Sequence, residues 1–401
     1  MRRPSDVLLL YAARAARGFG DGFAAIILPA YLIEIGFDPF QIGIVATAAL
    51  LGSAAMTLAI GFLAPRYGSR TLLLICALLM VATGIAIPQF QHFVFIAAVA
   101  FVGTMNPTTG DSGVHVPLEH AALAQKASDQ DRTHVFARYS LVGALSIAAG
   151  ALAAAAPDVL IASGTSRIGA LQAMFYVYAA LGLAGAALYS CLPRTAPQEA
   201  ATKETALGPS RGTVYKLAAL FSLDSFAGGF VVQSLLALWL FERFDLSLVA
   251  ASAFFFWSNV LTAFSYPVAA RLGRRFGLVN TMVFTHIPSS LCLIVAAFSP
   301  DLTVVLGLLL LRSALSQMDV PTRTSYVMAV VTPAERTAAA SVTAVPRSLA
   351  SSISPALSGA LLSTTFAGLP LVICGVLKIG YDLALLYSFR HIKPPEEQGP
   401  N

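Results

Sequence analysis

Long apolar stretches recur along the whole chain, and short polar stretches separate them. Twelve of them are about 20 residues or longer, which is enough to cross the hydrocarbon layer as a helix. They cover 7–35, 41–63, 71–87, 93–123, 134–156, 169–192, 214–241, 246–272, 277–298, 302–331, 336–362 and 367–389. A lipid-exposed backbone must satisfy its own hydrogen bonds, and the alternation of a membrane β-barrel is absent. The pattern therefore predicts an all-α membrane protein with twelve transmembrane helices.

The composition supports this prediction. Of the 401 residues, 57% are hydrophobic and 11% are charged, whereas soluble domains carry about 25% charged residues. A single soluble core is therefore excluded. The first apolar stretch resembles a signal peptide, but Arg14 and Arg17 interrupt it and the pattern continues to Ile35. We expect it to be an uncleaved first span.

The placement of the basic residues predicts an orientation. Sixteen of the 25 Lys and Arg residues fall in loops on one side, and only Arg167 and Arg243 fall in loops on the other. The positive-inside rule then places both termini in the cytoplasm, as an even number of spans also requires. We expect a multi-pass, monomeric protein of the inner cell membrane. The net charge of +5 is that of a membrane protein, and no nucleic-acid partner is expected.

The four cysteines predict neither disulfides nor a metal site. Cys76, Cys191, Cys292 and Cys374 lie in or at the edges of spans, without CxxC spacing. They are expected to be buried apolar thiols. No metal ion or cofactor is expected.

The chain reads as two copies of one six-span unit. Gly22-Phe23 and Phe37-Asp38 recur 207 residues later as Gly229-Phe230 and Phe244-Asp245. A polar stretch separates the copies and has the composition of a flexible linker. The predicted division is a bundle at 1–192, a cytoplasmic linker at 193–213, a bundle at 214–390 and a cytoplasmic tail at 391–401.

A second match pairs the fourth span with the tenth. Pro117 and Pro321 lie 204 residues apart, and each is followed by an acid–arginine pair, Asp131-Arg132 and Glu335-Arg336. Matches in consistent order make a chance repeat a poor explanation.

These features resemble the major facilitator superfamily over essentially the whole chain. The loop 61–70, GFLAPRYGSR, is similar to the superfamily's signature G-x-L-a-D-R-x-G-R after the second span. It departs at Pro65, where the family usually has an aspartate that helps to latch the cytoplasmic gate. The resemblance implies two pseudo-symmetric six-helix bundles, with spans one, four, seven and ten lining a cavity and spans five and eleven flanking it. It identifies no subfamily.

Acidic and titratable residues inside the spans predict proton coupling. Asp111, His115 and Glu119 are spaced i, i+4, i+8 in the fourth span and would share one helix face. Histidine can change charge near neutral pH. Asp21 in the first span and Asp319 in the tenth complete the proton-coupling set. The alternative is that the fourth span overshoots the membrane and Glu119 lies at its surface.

Basic residues in the spans predict a place for substrate. Arg312, Asp319 and Arg323 fall on one face of the tenth span, where an arginine can anchor a carboxylate or phosphate. The alternative is an internal salt bridge. The repeat makes Arg138 and Arg347 equivalent on spans five and eleven. They either hold an anionic group or pair with acids of the flanking spans, with Glu119 as the partner of Arg138.

Further polar residues have local explanations. Arg17 and Asp21 can neutralise each other at i, i+4, and Arg14 can extend to the membrane surface. In the seventh span Asp224 and Gln233 are half a turn out of phase, so one of them faces the cavity. On the twelfth span Lys378 and Asp382 form another i, i+4 pair.

No nucleophile–base set, Walker sequence or metal-ligand spacing is present, so an enzyme is not expected. The sequence predicts a secondary active transporter of a small polar or ionisable solute, with a lean towards organic anions. The predicted substrate-binding residues are Arg17, Arg138, Gln233, Arg312, Arg323 and Arg347. The alternatives are a proton-driven efflux pump for drugs or toxic compounds and a membrane receptor or scaffold that does not transport.

Overall fold

The computed structural model describes residues 6–108, 113–124, 132–193, 207–332 and 335–390, and the regular structure there is helical. The helices of the first half are α1 (Asp6–Glu34), α2 (Pro39–Gln89), α3 (Phe93–Val102), α4 (His115–Ala124), α5 (Arg132–Ala153), α6 (Ala156–Ala162) and α7 (Arg167–Ser190). Those of the second half are α8 (Arg211–Gly229), α9 (Gln233–Phe244), α10 (Leu248–Phe276), α11 (Leu278–Phe298), α12 (Leu302–Ser316), α13 (Asp319–Ala329), α14 (Arg336–Leu362) and α15 (Leu369–Phe389).

The predicted all-α membrane fold is confirmed. Nine helical stretches of the described chain are long and apolar enough to cross a membrane, and they correspond to predicted spans one to three, five to nine and twelve. Two of the other three predicted spans, the fourth and the tenth, are each divided into two shorter helices. The eleventh, α14, is long enough to cross a membrane but rich in serine, and it is not among the nine apolar stretches. The total of twelve stays a prediction.

The fourth predicted span is interrupted in its middle. Helix α3 ends at Val102, and α4 begins only at His115. Asn106 accepts hydrogen bonds from the backbone N–H of Thr108 at 2.9 Å and from its hydroxyl at 2.7 Å, which stabilises a turn in place of helix. Gly113 has a φ of +116°, a conformation that glycine adopts readily.

The tenth predicted span is interrupted at the matching place. Helix α12 ends at Ser316 and α13 begins at Asp319, 204 residues after the start of α4. The matched prolines, Pro117 and Pro321, are the third residues of α4 and α13. A proline in the first turn of a helix removes an N–H that has no partner within the helix. The repeat thus includes the break itself.

The seventh predicted span is also divided, since α8 ends at Gly229 and α9 begins at Gln233. By their contacts the residues form two compact units: 1–201 with 232–259, and 202–231 with 260–401. Asp224 therefore belongs to the second unit and Gln233 to the first. They do not share a continuous helix, so the predicted phase relation between them is wrong. The division at 1–192, 193–213, 214–390 and 391–401 stays a prediction.

A matched pair of glycines allows a close helix crossing in each unit. A Cβ atom at Gly22 of α1 would lie 2.2 Å from the carbonyl oxygen of Ile147 on α5. A Cβ atom at Gly229 of α8 would lie 2.6 Å from the carbonyl oxygen of Ser351 on α14. These two glycines are matched by the repeat. The same small-residue packing therefore fixes the first helix of each copy against its neighbour.

Glu335 joins the stretch before α8 to the start of α14 within the second unit. Its carboxylate accepts hydrogen bonds from the N–H of Gly208 at 2.6 Å and from the hydroxyls of Ser210 at 2.8 Å and Thr332 at 2.7 Å. These donors, the two hydroxyls first, lower the pKa of Glu335 to about 2.

All four cysteines are free thiols. Cys76 and Cys374 are buried and Cys292 is half-buried, but Cys191 at the end of α7 is exposed. The prediction of four buried thiols is therefore wrong for Cys191.

Candidate functional site

A buried carboxylate lies in the first unit and is bound by three helices. Glu119 of α4 has no exposed surface, and Nη2 of Arg17 on α1 lies 2.5 Å from its Oε2 atom. The hydroxyl of Tyr139 on α5 donates to the same oxygen. The hydroxyl of Tyr189 on α7 donates to Oε1 at 2.5 Å. We call Arg17, Asp21, Glu119, Tyr139 and Tyr189 the Glu119 cluster.

The second acid of this cluster is less closely bound. Asp21 lies 3.9 Å from Nη1 of Arg17 and accepts a hydrogen bond from the hydroxyl of Tyr178 at 3.4 Å. The predicted pairing of Arg17 with Asp21 along α1 is thus present, but the shorter contact of Arg17 is to Glu119. One guanidinium serves two carboxylates.

Three expectations for this region are wrong. Glu119 is fully buried and not exposed at a surface, and its basic partner among the described residues is Arg17, not Arg138, which is exposed on α5. Arg14 does not extend to the surface either, since only 1% of it is exposed. Its guanidinium lies over the ring of Tyr139 at 5.3 Å, in space that the absent side chain of Gly143 leaves open.

A second buried ionic group lies in the second unit. Asp224 of α8 accepts from Nζ of Lys378 on α15 at 2.6 Å and from Nη1 of Arg323 on α13 at 3.2 Å. Nη1 of Arg323 also lies 3.1 Å from Asp319. We call these four residues the Asp224 cluster. Of the two alternatives for Arg323, a substrate anchor or an internal salt bridge, the structure contains the internal salt bridge.

The Asp224 cluster continues into α11 through His286. Nε2 of His286 lies 3.3 Å from Nζ of Lys378, and Nδ1 lies 3.1 Å from Oδ1 of Asp382. The predicted i, i+4 pair of Lys378 and Asp382 is therefore wrong. Each of them contacts a residue on another helix: Lys378 contacts Asp224 on α8, and Asp382 contacts His286 on α11.

Two further arginines of the second unit form no salt bridge with a carboxylate of the described residues. Arg347 donates from Nε to the hydroxyl of Ser225 at 3.1 Å. Arg312 has the thiols of Cys374 and Cys292 as its electrostatic neighbours. Among the described carboxylates, none forms a salt bridge with either guanidinium. Both side chains are half-buried.

The remaining predicted site residues have varied positions. His115 is buried as the first residue of α4, and Gln233 is half-buried as the first residue of α9. Asp111 lies outside the described residues. The shared helix face predicted for Asp111, His115 and Glu119 therefore holds, among described residues, only for the last two.

Sequence reasoning missed Tyr139, Tyr189 and His286. It named Asp224, Lys378 and Asp382 as polar residues inside the spans but did not include them among the predicted site residues. A histidine inside an apolar span is a detectable signal, and so is a lysine. Tyrosines give no such signal, because most tyrosines in a span pack against lipid or core.

Both clusters are buried ionic networks. Each places carboxylates beside basic groups inside the protein, where an unpaired charge costs several kcal/mol. Among the described residues, no group of three or more His, Cys, Asp or Glu side chains is placed to hold a metal ion.

The chain belongs to the Major Facilitator Superfamily, whose family model matches residues 10–223, more than half of its 401 residues. It is therefore a multi-pass membrane protein of a transporter family. An uncharacterized membrane protein of Saccharomyces cerevisiae, YJR124C, is 23% identical over 420 residues, which cover 96% of this chain and 94% of that protein.

Solved transporters share the fold. A crystal structure of a mutant of the nucleoside transporter NupG has a TM-score of 0.77 at 16% identity and covers 96% of this chain and 100% of that one. The human organic anion transporter MFSD10 (TETRAN) has a TM-score of 0.65 at 15% identity, over 96% of this chain and 100% of that one. At such identities the likeness concerns the fold alone.

Proposed function

We propose that this protein is a secondary active transporter that moves a small polar or ionisable solute by alternating access, driven by protons. The observation that carries the proposal is the pair of buried ionic clusters, each with a member on a half-helix that follows a break: Glu119 on α4, and Asp319 with Arg323 on α13. Broken helices with charged groups at mid-membrane are the usual construction of transporter sites. Buried charge at this density offers a scaffold no advantage, because each charge costs folding free energy.

The Glu119 cluster supports the proton side of the proposal. Arg17 is the shared cation of Glu119 and Asp21. When a proton binds Glu119, Arg17 loses its closer partner and turns towards Asp21. A single proton thus moves a guanidinium between two helices, which is a differential contact of the kind that can bias a conformational equilibrium.

The second unit supports the lean towards an anion. Arg347 and Arg312 have no salt bridge to a described carboxylate, so each could take an external one. Guanidinium groups bind carboxylate and phosphate through two parallel hydrogen bonds. We infer that an organic anion is the substrate class, and that the protein functions as a monomer in the inner membrane with both termini in the cytoplasm.

Transport in proteoliposomes tests the proposal. A thermal-shift screen of metabolites and drugs first selects ligands, and labelled ligand uptake is then measured with and without a pH gradient. We expect gradient-driven uptake that Glu119→Gln abolishes and that Glu242→Gln, a change at an exposed carboxyl of α9, leaves intact. No flux of any stabilising ligand would support a receptor or scaffold. Flux that ignores the gradient would contradict proton coupling.

The same screen separates the two transport alternatives. An organic-anion carrier is stabilised by small carboxylates or phosphates, and Arg347→Gln should abolish that stabilisation. An efflux pump is stabilised by lipophilic cations, and Arg347→Gln should leave their binding unchanged or improve it. Stabilisation by cations alone would overturn the anion assignment.

A further inference from the structure

A continuous chain of protonatable groups extends from the Asp224 cluster into the interior of the second unit. Asp224, Lys378, His286 and Asp382 follow one another with contacts of 2.6, 3.3 and 3.1 Å. We call these four residues the His286 chain. They come from three helices, α8, α15 and α11, so folding of the unit brings them together.

Hydrogen-bond chemistry fixes the direction of the chain. The ammonium of Lys378 has donors only, so Nε2 of His286 must accept from it. Nδ1 then carries the ring proton and donates it to Oδ1 of Asp382. His286 is therefore neutral in this arrangement, and its tautomer is fixed by the two neighbours.

The far end of the chain has an unsatisfied atom. Oδ2 of Asp382 is buried and has no hydrogen-bond partner within the described residues. The Asp382 side chain has no exposed surface. A buried carboxylate oxygen without a donor is costly, and binding a proton removes the charge. Asp382 is thus the natural resting place of a proton in this unit.

Exposure falls along the chain. The exposed fraction is 12% for the side chain of Lys378 and 8% for that of Asp224, but 2% for His286 and 0% for Asp382. Water can therefore reach the lysine end more readily than the Asp382 end. A proton enters at Lys378 and is stored at Asp382.

Other charged and titratable groups lie near the His286 chain. The ring of Tyr381 on α15 packs edge-on against His286 at 6.1 Å, and Nε2 of His286 also lies 3.9 Å from Asp224. Beyond them, Arg323 on α13 contacts both Asp224 and Asp319, and Arg347 on α14 is an electrostatic neighbour of Arg323.

We propose that the His286 chain is a proton-binding site with Asp382 as the group that holds the proton. Lys378 gives a proton to Nε2 of His286, the ring passes its Nδ1 proton to Oδ1 of Asp382, and a hydronium ion reprotonates Lys378. One proton is gained in total, and the hydronium ion becomes water. The bonds broken are one N–H on Lys378, one N–H on His286 and one O–H on the hydronium ion; the bonds formed are N–H on His286, O–H on Asp382 and N–H on Lys378.

The step changes the Asp224 cluster. After it, Nε2 of His286 bears a hydrogen and no longer accepts from Lys378. The ammonium then turns fully to Asp224, where it competes with Arg323 for the carboxylate. This link from the stored proton to Arg323 rests on the proposed transport function, while the proton site itself does not.

Infrared difference spectroscopy tests the site on the purified full-length protein in lipid. We compare spectra at acid and alkaline pH and follow the carbonyl band of protonated carboxylic acids. Asp382→Asn should remove one titrating band. The matched control is Thr285→Ala, the neighbour of His286 on α11, whose hydroxyl donates only to its own helix and whose removal should leave the band unchanged.

A second variant covers the case in which Asp382→Asn does not fold. Lys378→Met keeps Asp382 but removes the proton entry. We expect the band to persist and to form about 100-fold more slowly after a pH jump, since a positioned proton donor typically contributes at least that factor. Retention of every titrating band in Asp382→Asn, or unchanged kinetics in Lys378→Met, overturns the site.

The failure of this site and of the proposed function are distinguishable. If the band titrates as expected but no solute responds to a pH gradient, the transport proposal fails and the proton site stands. If uptake is gradient-driven while Asp382→Asn retains every titrating band, the site fails and the transport proposal stands.

Discussion

The two buried ion pairs occupy equivalent positions in the two copies, with opposite charges. Arg17 and Asp224 are 207 residues apart, the separation that relates Gly22 to Gly229. Glu119 and Arg323 are 204 residues apart, the separation that relates the matched prolines. In one unit the first helix provides the cation and the broken helix the acid. In the other unit the roles are reversed.

The two units share an ion pair at this position, but the helix that carries the positive charge differs between them. An ion pair ties the half-helix after the break, α4 or α13, to the first helix of its copy. Either order of charge serves that purpose, because the attraction between two charges does not depend on which helix carries which. The surroundings then differ: two tyrosine hydroxyls complete the shell of Glu119, while a second cation, Lys378, completes that of Asp224.

The largest expected effect comes from removing Arg17, the cation that forms a salt bridge with Glu119 among the described residues. Arg17→Leu leaves a fully buried carboxylate without its counter-charge, and we expect the free energy of unfolding to fall by about 3–5 kcal/mol. Arg323→Leu should cost less, since Lys378 still contacts Asp224 at 2.6 Å. Denaturant unfolding of the purified protein measures both.

The exposed arginine of α10, Arg271, provides the control for this comparison. Arg271→Leu should change the free energy of unfolding by about 0.5 kcal/mol or less. Equal losses for Arg17→Leu and Arg323→Leu would mean that Lys378 does not compensate in the second unit.

Exchanging the charges tests whether either helix of an ion pair can carry either charge. In the first unit, Arg17→Glu with Glu119→Arg should recover about 2–3 kcal/mol relative to the sum of the single changes. In the second unit, Asp224→Arg with Arg323→Asp should recover little. The new arginine would face Lys378, and the new aspartate would face Asp319. Double-mutant cycles give both coupling energies, and strong recovery in both units would contradict a role for the surroundings.

Much of this construction follows from the sequence. Uninterrupted apolar stretches predict the membrane helices, and charge inside them marks Arg17, Glu119, Asp319 and Arg323. The breaks are partly visible: Gly103, Pro107 and Gly113 interrupt the fourth span, but nothing comparable lies at 317–318. There, Pro321 in the first turn of α13 is the available signal.

The pairings could not be predicted in the same way. Arg17 and Glu119 are 102 residues apart, and their contact depends on how α1 and α4 are rotated about their axes. A spacing of i, i+4 made Lys378–Asp382 look like a pair, yet packing directs them to Asp224 and His286. Spacing along one helix reports which groups share a face, and only the packed structure reports what faces them.

The tyrosines of the Glu119 cluster are expected to have a smaller effect than its charges. Tyr189→Phe removes a hydrogen bond to a buried carboxylate and should cost about 1.5–3 kcal/mol. Tyr178→Phe should cost less, because its hydroxyl lies 3.4 Å from Asp21, near the limit of a hydrogen bond. Unfolding measurements on both variants check this order, and the reverse order would show that Asp21 is the more tightly held acid.

The smallest effect concerns the acid that follows each matched proline, Glu335 in the second copy and Asp131 in the first. The pKa of Glu335 is lowered to about 2 from 4.5, so its contact stabilises the protein fully above pH 4.5 and is lost as the pH falls towards 2. The protection of the amides at 208–210, measured as their exchange rate relative to that of an unstructured peptide at the same pH, should therefore fall on acidification over that window.

Glu335→Gln should lower this protection at neutral pH and make it independent of acidification. Asp131 lies outside the described residues, so Asp131→Asn asks whether the first copy has a comparable contact. If Asp131→Asn leaves exchange before and after residue 131 unchanged while Glu335→Gln alters it at 208–210, the correspondence of the two copies ends at the helix breaks. If both variants lower the protection of nearby amides, the correspondence of the two copies extends to the loops that precede α5 and α14.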